Sequence, residues 1–332
     1  MVIFLLIPFI IFMLVRKFLV RKEVKNIANK HIVVIGGSSG IGKSIAELAA
    51  RKNAHVTIIA RNIDKLAQAI EDIRKCSVNP AEQRISYVSV DVTNFEDIEN
   101  NLCEIEETIG PIYMLVNCAG FAICGEMERF SVHEIKSLIN INILGSIYPV
   151  KAIIPKFKQR REGIIVLTGS LVSLFGMYGY SIYSSCKFAL RGLAEAIHME
   201  LKPFGVTVTL ALPPDTDTPG FHQENKSKPI ETSKISTMGT LYKPDEVAEK
   251  ILRDALDGNF FSYIGFNGFI LTTLCKGFSP FKSFRQVIFE SAILGLIRFV
   301  SAFYVVQMQK IIQLCFDEKE QRKRGQRKNK YT

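Results

Sequence analysis

The sequence predicts a doubly wound α/β fold, a parallel sheet covered on both faces by helices, with an N-terminal membrane anchor and a hydrophobic C-terminal extension. Three observations carry that expectation. Short β-branched runs recur between residues 31 and 212, separated by stretches of helical character. A glycine-rich turn follows directly on the first run. Long apolar segments stand towards the two ends of the chain. Strands alternating with amphipathic helices imply right-handed βαβ units and a parallel sheet.

The strand candidates are 31–35 (HIVVI), 55–59 (HVTII), 85–90 (ISYVSV), 113–116 (YMLV), 164–167 (IIVL) and 206–212 (VTVTLAL). Helical stretches at 40–52, 62–75, 94–109, 131–158 and 183–202 lie between and after them. No repeat or low-complexity block intervenes, so residues 26–260 read as one doubly wound domain. The chain has 332 residues, 48% hydrophobic and 22% charged, a balance that excludes a disordered or collagen-like chain. Seven scattered cysteines without a CxxC pair argue against a disulfide framework or a metal site and for a reducing compartment.

The net charge of +10 is unevenly placed. Residues 16–25 hold five cations against one acid, and residues 317–332 hold seven against three. The middle is therefore nearly neutral, which argues against a nucleic acid as partner. Each basic cluster abuts an apolar segment, a membrane-surface signature. Residues 2–15 (VIFLLIPFIIFMLV) are apolar without interruption, and extension through Phe18, Leu19 and Val20 gives a spanning length if Arg16 and Lys17 reach the interface. The charge follows the apolar run and no cleavage site is evident. Residues 1–25 thus read as an uncleaved anchor, with an in-plane interfacial helix as the rival.

Residues 261–316 form the hydrophobic extension, built on the apolar stretches 260–275 and 287–306. Glu290 and Arg298 interrupt the second stretch. These segments either contact the membrane as a hairpin or re-entrant element, or pack on the domain or a partner subunit. Residues 317–332 read as a basic cytosolic tail. Its Lys328 and Lys330 have the spacing of a dilysine retrieval signal or belong to a plain solvated tail. Asn225-Lys226-Ser227 fits the glycosylation pattern, which a cytosolic segment would not use.

The first strand runs into Gly36-Gly37-Ser38-Ser39-Gly40-Ile41-Gly42, with a helix directly behind. Glycines there let the backbone approach a pyrophosphate, and the helix N-terminus supplies oriented N–H groups. Gly36, Ser38, Ser39, Gly40 and Gly42 are therefore cofactor-binding candidates. The tip of the second strand selects the cofactor. An acid there would accept from a ribose 2′-hydroxyl and repel a 2′-phosphate. This chain has Arg61 at that place, with Lys65 one helical turn on, which favours NADPH. Asp91 ends the third strand, placed to border the adenine, and Asn117-Cys118-Ala119-Gly120 ends the fourth along the same cleft.

Tyr183-Ser184-Ser185-Cys186-Lys187 opens a helix, so Tyr183 and Lys187 share one face. A phenol of ordinary pKa near 10 is a poor acid–base catalyst at neutral pH, and a nearby ammonium is expected to pull that pKa down. Ser170 ends the fifth strand, placed to hydrogen-bond a substrate oxygen shared with the tyrosine. His198, on the same helix, reads as a surface or core histidine.

Together, Gly36-xxx-Gly40-x-Gly42, Asn117-Cys118-Ala119-Gly120, Ser170 and Tyr183-xxx-Lys187 resemble the short-chain dehydrogenase/reductase superfamily over residues 30–260. The resemblance implies a Rossmann-type fold and NADPH-dependent oxidoreduction between a ketone and an alcohol. It implies Tyr183 as general acid, Lys187 on the nicotinamide ribose, and Ser170 on the carbonyl. Asn142 matches the fourth member of the catalytic set, with Asn140 close enough to compete for the assignment. Two positions depart from the pattern: Ile35 where threonine is usual and Gly169 where a second serine is common.

Within the superfamily the stretch 188–222, and Pro213-Pro214-Asp215-Thr216-Asp217-Thr218-Pro219-Gly220-Phe221 above all, resembles the reductases of long-chain sphingoid ketones. That implies a lipid substrate in sphingolipid biosynthesis, and an enzyme in the endoplasmic reticulum membrane with its catalytic domain facing the cytosol. A mobile loop at about 214–243 over the cleft would admit substrate from the membrane. Retinal, a steroid or another lipid ketone is the alternative substrate, and a non-catalytic nucleotide sensor the alternative class. Assembly into a homo-oligomer follows only by analogy with the superfamily.

Overall fold

The computed structural model describes residues 25–328. The anchor expected at residues 1–25 lies, but for its last residue, outside the described residues, as does Lys330 of the dilysine pattern. Among the described residues seven parallel strands form one sheet in the order β3-β2-β1-β4-β5-β6-β7. They are β1 His31–Ile35, β2 His55–Ala60, β3 Ile85–Ser89, β4 Ile112–Asn117, β5 Ile164–Thr168, β6 Thr207–Ala211 and β7 Phe261–Ser262. The order reverses between β1 and β4, and in such sheets ligands bind in the crevice beyond the strand ends at that reversal.

Strand geometry sends alternate side chains to opposite faces. Val33 and Ile35 join one apolar layer with Leu115, Ile153 and Phe157, and Ile32 and Val34 join the other with Ile45, Ile58 and Ile251. All five β1 residues are buried, as a central parallel strand requires. The helices carry their own start signals. Asn62 caps α2 (Ile63–Lys75) by accepting from the Lys65 backbone at 2.8 Å, and Leu66, Ala69, Ile70 and Ile73 form its buried stripe. Asn94 caps α3 (Phe95–Ile109), and Ser131 with Glu134 forms a capping box on α4 (Val132–Ile139). A π-helical turn, Asn140–Leu144, joins α4 to α5 (Gly145–Arg160). The central pair is α1 (Gly40–Arg51), behind the glycine turn, and α6 (Ser181–Leu201), which carries Tyr183 and Lys187.

Two expectations are corrected here. Phe261 and Ser262 pair with Leu210 and Ala211 as the last strand of the sheet, so the catalytic domain runs past residue 260. A two-residue edge strand has no periodicity for a sequence to display. Residues 214–243 are folded, not a bare loop: they form α7 (Pro219–Asn225) and α8 (Ile230–Ser236), and a bridge from Thr216 to Tyr242 closes the base. Beyond them, α9 (Pro244–Leu256) covers the sheet and α10 (Gly265–Cys275) packs on the domain, where the Arg191 guanidinium donates to the Cys275 carbonyl at 2.6 Å.

Residues 317–328 continue α11 (Phe284–Lys328) as one helix, and Lys319 reaches back to Glu231 on α8 at 2.6 Å. Among the described residues two helical stretches are long and apolar enough to cross a membrane. Val132–Arg160 is 44% buried over its apolar window and serves as a core helix, whereas Phe284–Arg322 is only 6% buried there. Its exposed Ile288, Leu296, Phe299 and Phe303 form an open apolar surface, and Glu290, inside that apolar run, is paired with Lys276.

Candidate active site

The ends of β1, β2, β4 and β5 surround a cleft of about 930 Å³. Its floor is the glycine turn. Gly36 has φ +75°, and a Cβ on it would meet the Cys118 carbonyl carbon at 2.8 Å. A Cβ on Gly42 would meet the Gly36 carbonyl oxygen at 2.4 Å. Only glycine allows the turn, the first turn of α1 and the end of β4 to approach this closely. Ser39 is the N-cap of α1 in extended conformation, and its side chain makes no capping bond. Ser38, Ser39, Gly40 and Gly42 all line the cleft.

Arg61 and Lys65 stand on the cleft wall at the tip of β2, both exposed. The Arg61 guanidinium is 3.9 Å from the Asp91 carboxylate, whose other oxygen accepts from the Thr93 backbone and hydroxyl. Asn117 is placed differently from the expectation. It is 2% exposed; its amide donates to the Gly145 carbonyl and accepts from the Ala119 backbone, each at 2.9 Å. Asn117 therefore shapes the turn after β4 from beneath and does not face the cleft.

The reactive end lies between β5 and α6. Ser170 and Tyr183 face the same cleft. Lys187, 3% exposed, donates from Nζ to the Thr168 carbonyl at 2.9 Å and lies 5.5 Å from the Tyr183 ring centre. Burial lowers the Lys187 pKa to about 8. The expected depression of the tyrosine pKa does not occur. Burial, then the Glu224 carboxylate, hold the Tyr183 phenol above its ordinary value. The reason is the direction in which Lys187 points: its ammonium is bound under the ring to a main-chain carbonyl. Tyr183 accordingly stands protonated at neutral pH.

Asn142, not Asn140, reaches this region. Asn142 is fully buried in the π-turn, while Asn140 is exposed. Its amide donates to the carbonyls of Phe121 at 2.9 Å and Leu138 at 3.0 Å, and among the described residues its Oδ1 has no partner. His198 packs edge-on against Phe260, away from the reactive end.

One group was missed by sequence reasoning. The roof formed by α7 brings Glu224 to the cleft, where it accepts a bond from Tyr180 and pairs with Lys228 at 3.0 Å. The only local signal would have been two charges four residues apart, and nothing in their spacing points at Tyr183.

Residues 30–229 match the family model for short chain dehydrogenase. A 3-ketodihydrosphingosine reductase of Bos taurus is 45% identical over 290 residues, covering 87% of each chain. A 3-dehydrosphinganine reductase of Danio rerio is 42% identical over 292 residues, 88% of each chain. Among solved structures, a short-chain dehydrogenase from Sphingobium yanoikuyae in complex with NADPH superimposes with a TM-score of 0.61 at 25% identity. That match covers 70% of this chain and 87% of the other.

Proposed function

The chain belongs to the short-chain dehydrogenase family, and from that premise we propose that it is the NADPH-dependent reductase of 3-ketodihydrosphingosine, forming sphinganine in sphingolipid biosynthesis. The observation that carries the reading is the convergence of Ser170, Tyr183 and Lys187 in a cleft whose far wall presents Arg61 and Lys65. The reductases similar to this chain over nearly nine-tenths of their length carry the same substrate in their names.

The residues fit the cofactor. A Cβ would fill the cradle at Gly36 and Gly42, the α1 N-terminus faces the same space, and the β2 tip offers cations for a 2′-phosphate where a carboxylate would select against it. Ser38 and Ser39 would hold the pyrophosphate with the glycine turn, Asp91 would border the adenine, and Lys187 would hold the nicotinamide ribose. When bound, NADPH supplies the hydride.

The protein supplies position and the proton. Ser170 Oγ donates to the ketone oxygen and fixes it beside the Tyr183 hydroxyl, and Tyr183 gives its proton to that oxygen as alkoxide character grows. A phenol that is protonated at rest suits the direction of reduction. Asn142 Oδ1 and Lys187 Nζ both approach Gly120, and a relay through them would return the proton to Tyr183.

A ketone with a long alkyl tail partitions into the bilayer, so the enzyme works at a membrane. The open apolar surface of α11 supports that, and the reading extends to the cytosolic face of the endoplasmic reticulum. NADPH oxidation by the detergent-solubilised chain, supplied with 3-ketodihydrosphingosine beside a retinal and a steroid ketone, tests the proposal. Turnover of the sphingoid ketone, lost in Tyr183→Phe while NADPH still binds, supports it. Turnover of retinal or steroid alone would discard the substrate and keep the chemistry.

A further inference from the structure

Reduction of a plain ketone has no use for the carboxylate of Glu224. It sits on α7, 14% exposed, and lines the same cleft as Ser170 and Tyr183. Its Oε1 accepts from the Tyr180 hydroxyl and pairs with Lys228. Lys228 is 4% exposed and held 4.6 Å above the Phe221 ring. The Tyr180 ring lies 5.6 Å from that of Tyr183, so one aromatic ring separates the carboxylate from the proton donor. Asp215 lines the same wall and accepts from Ser236.

Both carboxylates raise the Tyr183 phenol, and both oppose the negative charge that grows on a ketone oxygen during reduction. For a neutral ketone this arrangement is a handicap. For a ketone with a protonated amine on the neighbouring carbon it becomes an advantage. The ammonium would join Lys228 on the carboxylate, weaken its field at Tyr183 further and place the carbonyl on the adjoining carbon. Such a charge-assisted bond is roughly twice as strong as a neutral one.

We propose that Glu224 is a substrate-binding and specificity-determining residue, which takes the ammonium borne by the carbon beside the ketone. The inference rests on the reading of the chain as a sphingoid-ketone reductase, because 3-ketodihydrosphingosine carries its amine at that carbon. Glu224 selects amino ketones from the neutral lipid ketones that share the bilayer.

The test compares 3-ketodihydrosphingosine with 1-hydroxyoctadecan-3-one, the same chain without the amine, on the full-length protein in detergent with NADPH. The wild-type enzyme should prefer the amino ketone in kcat/KM by about 10- to 100-fold, the range of a buried charge-assisted bond. In Glu224→Gln that preference should collapse towards unity, mainly through a higher KM for the amino ketone, and Glu224→Asp should restore part of it. Tyr180→Phe, which removes one partner of Glu224 and leaves its charge, should keep the preference. An equal loss on both substrates in Glu224→Gln would assign it a structural role and overturn the proposal. So would a wild-type enzyme indifferent to the amine, a result that needs no variant to fold. A wild-type enzyme that reduces only the neutral ketone would overturn the proposed function as well, and so is distinguishable from failure of the Glu224 assignment alone.

Discussion

Asn142 Oδ1 and Lys187 Nζ converge on Gly120: a Cβ built on that glycine would lie 2.7 Å from the first and 3.3 Å from the second. Both side chains are buried and neither has room to retreat, since Asn142 is tied to two carbonyls and Lys187 to a third. Gly120 thus sets the spacing between the π-turn and α6 at the reactive end.

Gly120→Ala should displace one or both groups by up to an ångström. A misplacement of that size costs on the order of 100-fold in turnover. NADPH affinity, measured by cofactor fluorescence, should fall less than turnover, because the glycines of the pyrophosphate turn are themselves unchanged. Equal losses in turnover and cofactor affinity would show that the turn after β4 had collapsed as a whole.

In the proposed reading Arg61 reads the 2′-phosphate from an exposed position, so its effect is expected to be screened and moderate. Arg61→Ala should raise the KM for NADPH about tenfold and leave that for NADH nearly unchanged. Arg61→Glu should reverse the preference. Steady-state kinetics with both cofactors decide it, and an unaltered NADPH/NADH ratio in Arg61→Ala would move 2′-phosphate recognition to Lys65.

Lys187 gives a pH-dependent stability with a definite sign. Its folded pKa of about 8 lies below the 10.5 of an unperturbed lysine. Between those values the unfolded chain binds a proton that the folded chain does not, so this group's contribution to stability rises with pH. Below about pH 8 its penalty is fully present. Thermal denaturation between pH 7.5 and 9.5, without cofactor, should therefore show a stabilising slope in the wild type that Lys187→Met lacks. Parallel curves for the two proteins would mean the ammonium is better solvated than its burial implies.

Glu231 on α8 is 2% exposed and depends on Lys319 of α11. Lys319→Met would leave a buried carboxylate poorly compensated. The expected loss is about 1–2 kcal/mol, a fall of a few degrees in Tm. Adding Glu231→Gln should recover part of it, since the charge and its partner are then removed together. Additive losses in the double variant would mean that the two residues are not energetically coupled.

Much of this site is visible in the chain as written because its chemistry is local. The alternation in HIVVI decides which residues face which layer, the glycines mark the one turn where backbone must meet backbone, and Tyr183 and Lys187 share a face by helical spacing. Other features left no local trace. Asn140 and Asn142 are two residues apart and alike in chemistry, and the π-turn separates them, exposing one and burying the other. Asn117 has the right place in sequence for the cleft, yet backbone partners on the two sides of its amide turn it beneath the floor.

Strands, cofactor turn, the pairing of Tyr183 with Lys187 and the preference for a phosphorylated ribose were thus encoded in residue type and spacing, because each depends on neighbours within about one helical turn or along one strand. The protonation of Tyr183, the Glu224 roof, the seventh strand and the tie between Lys319 and Glu231 arose from packing of segments far apart in the chain. Burial and the charges that surround a group set its behaviour, and those are properties of the folded path, not of the order of residues along it.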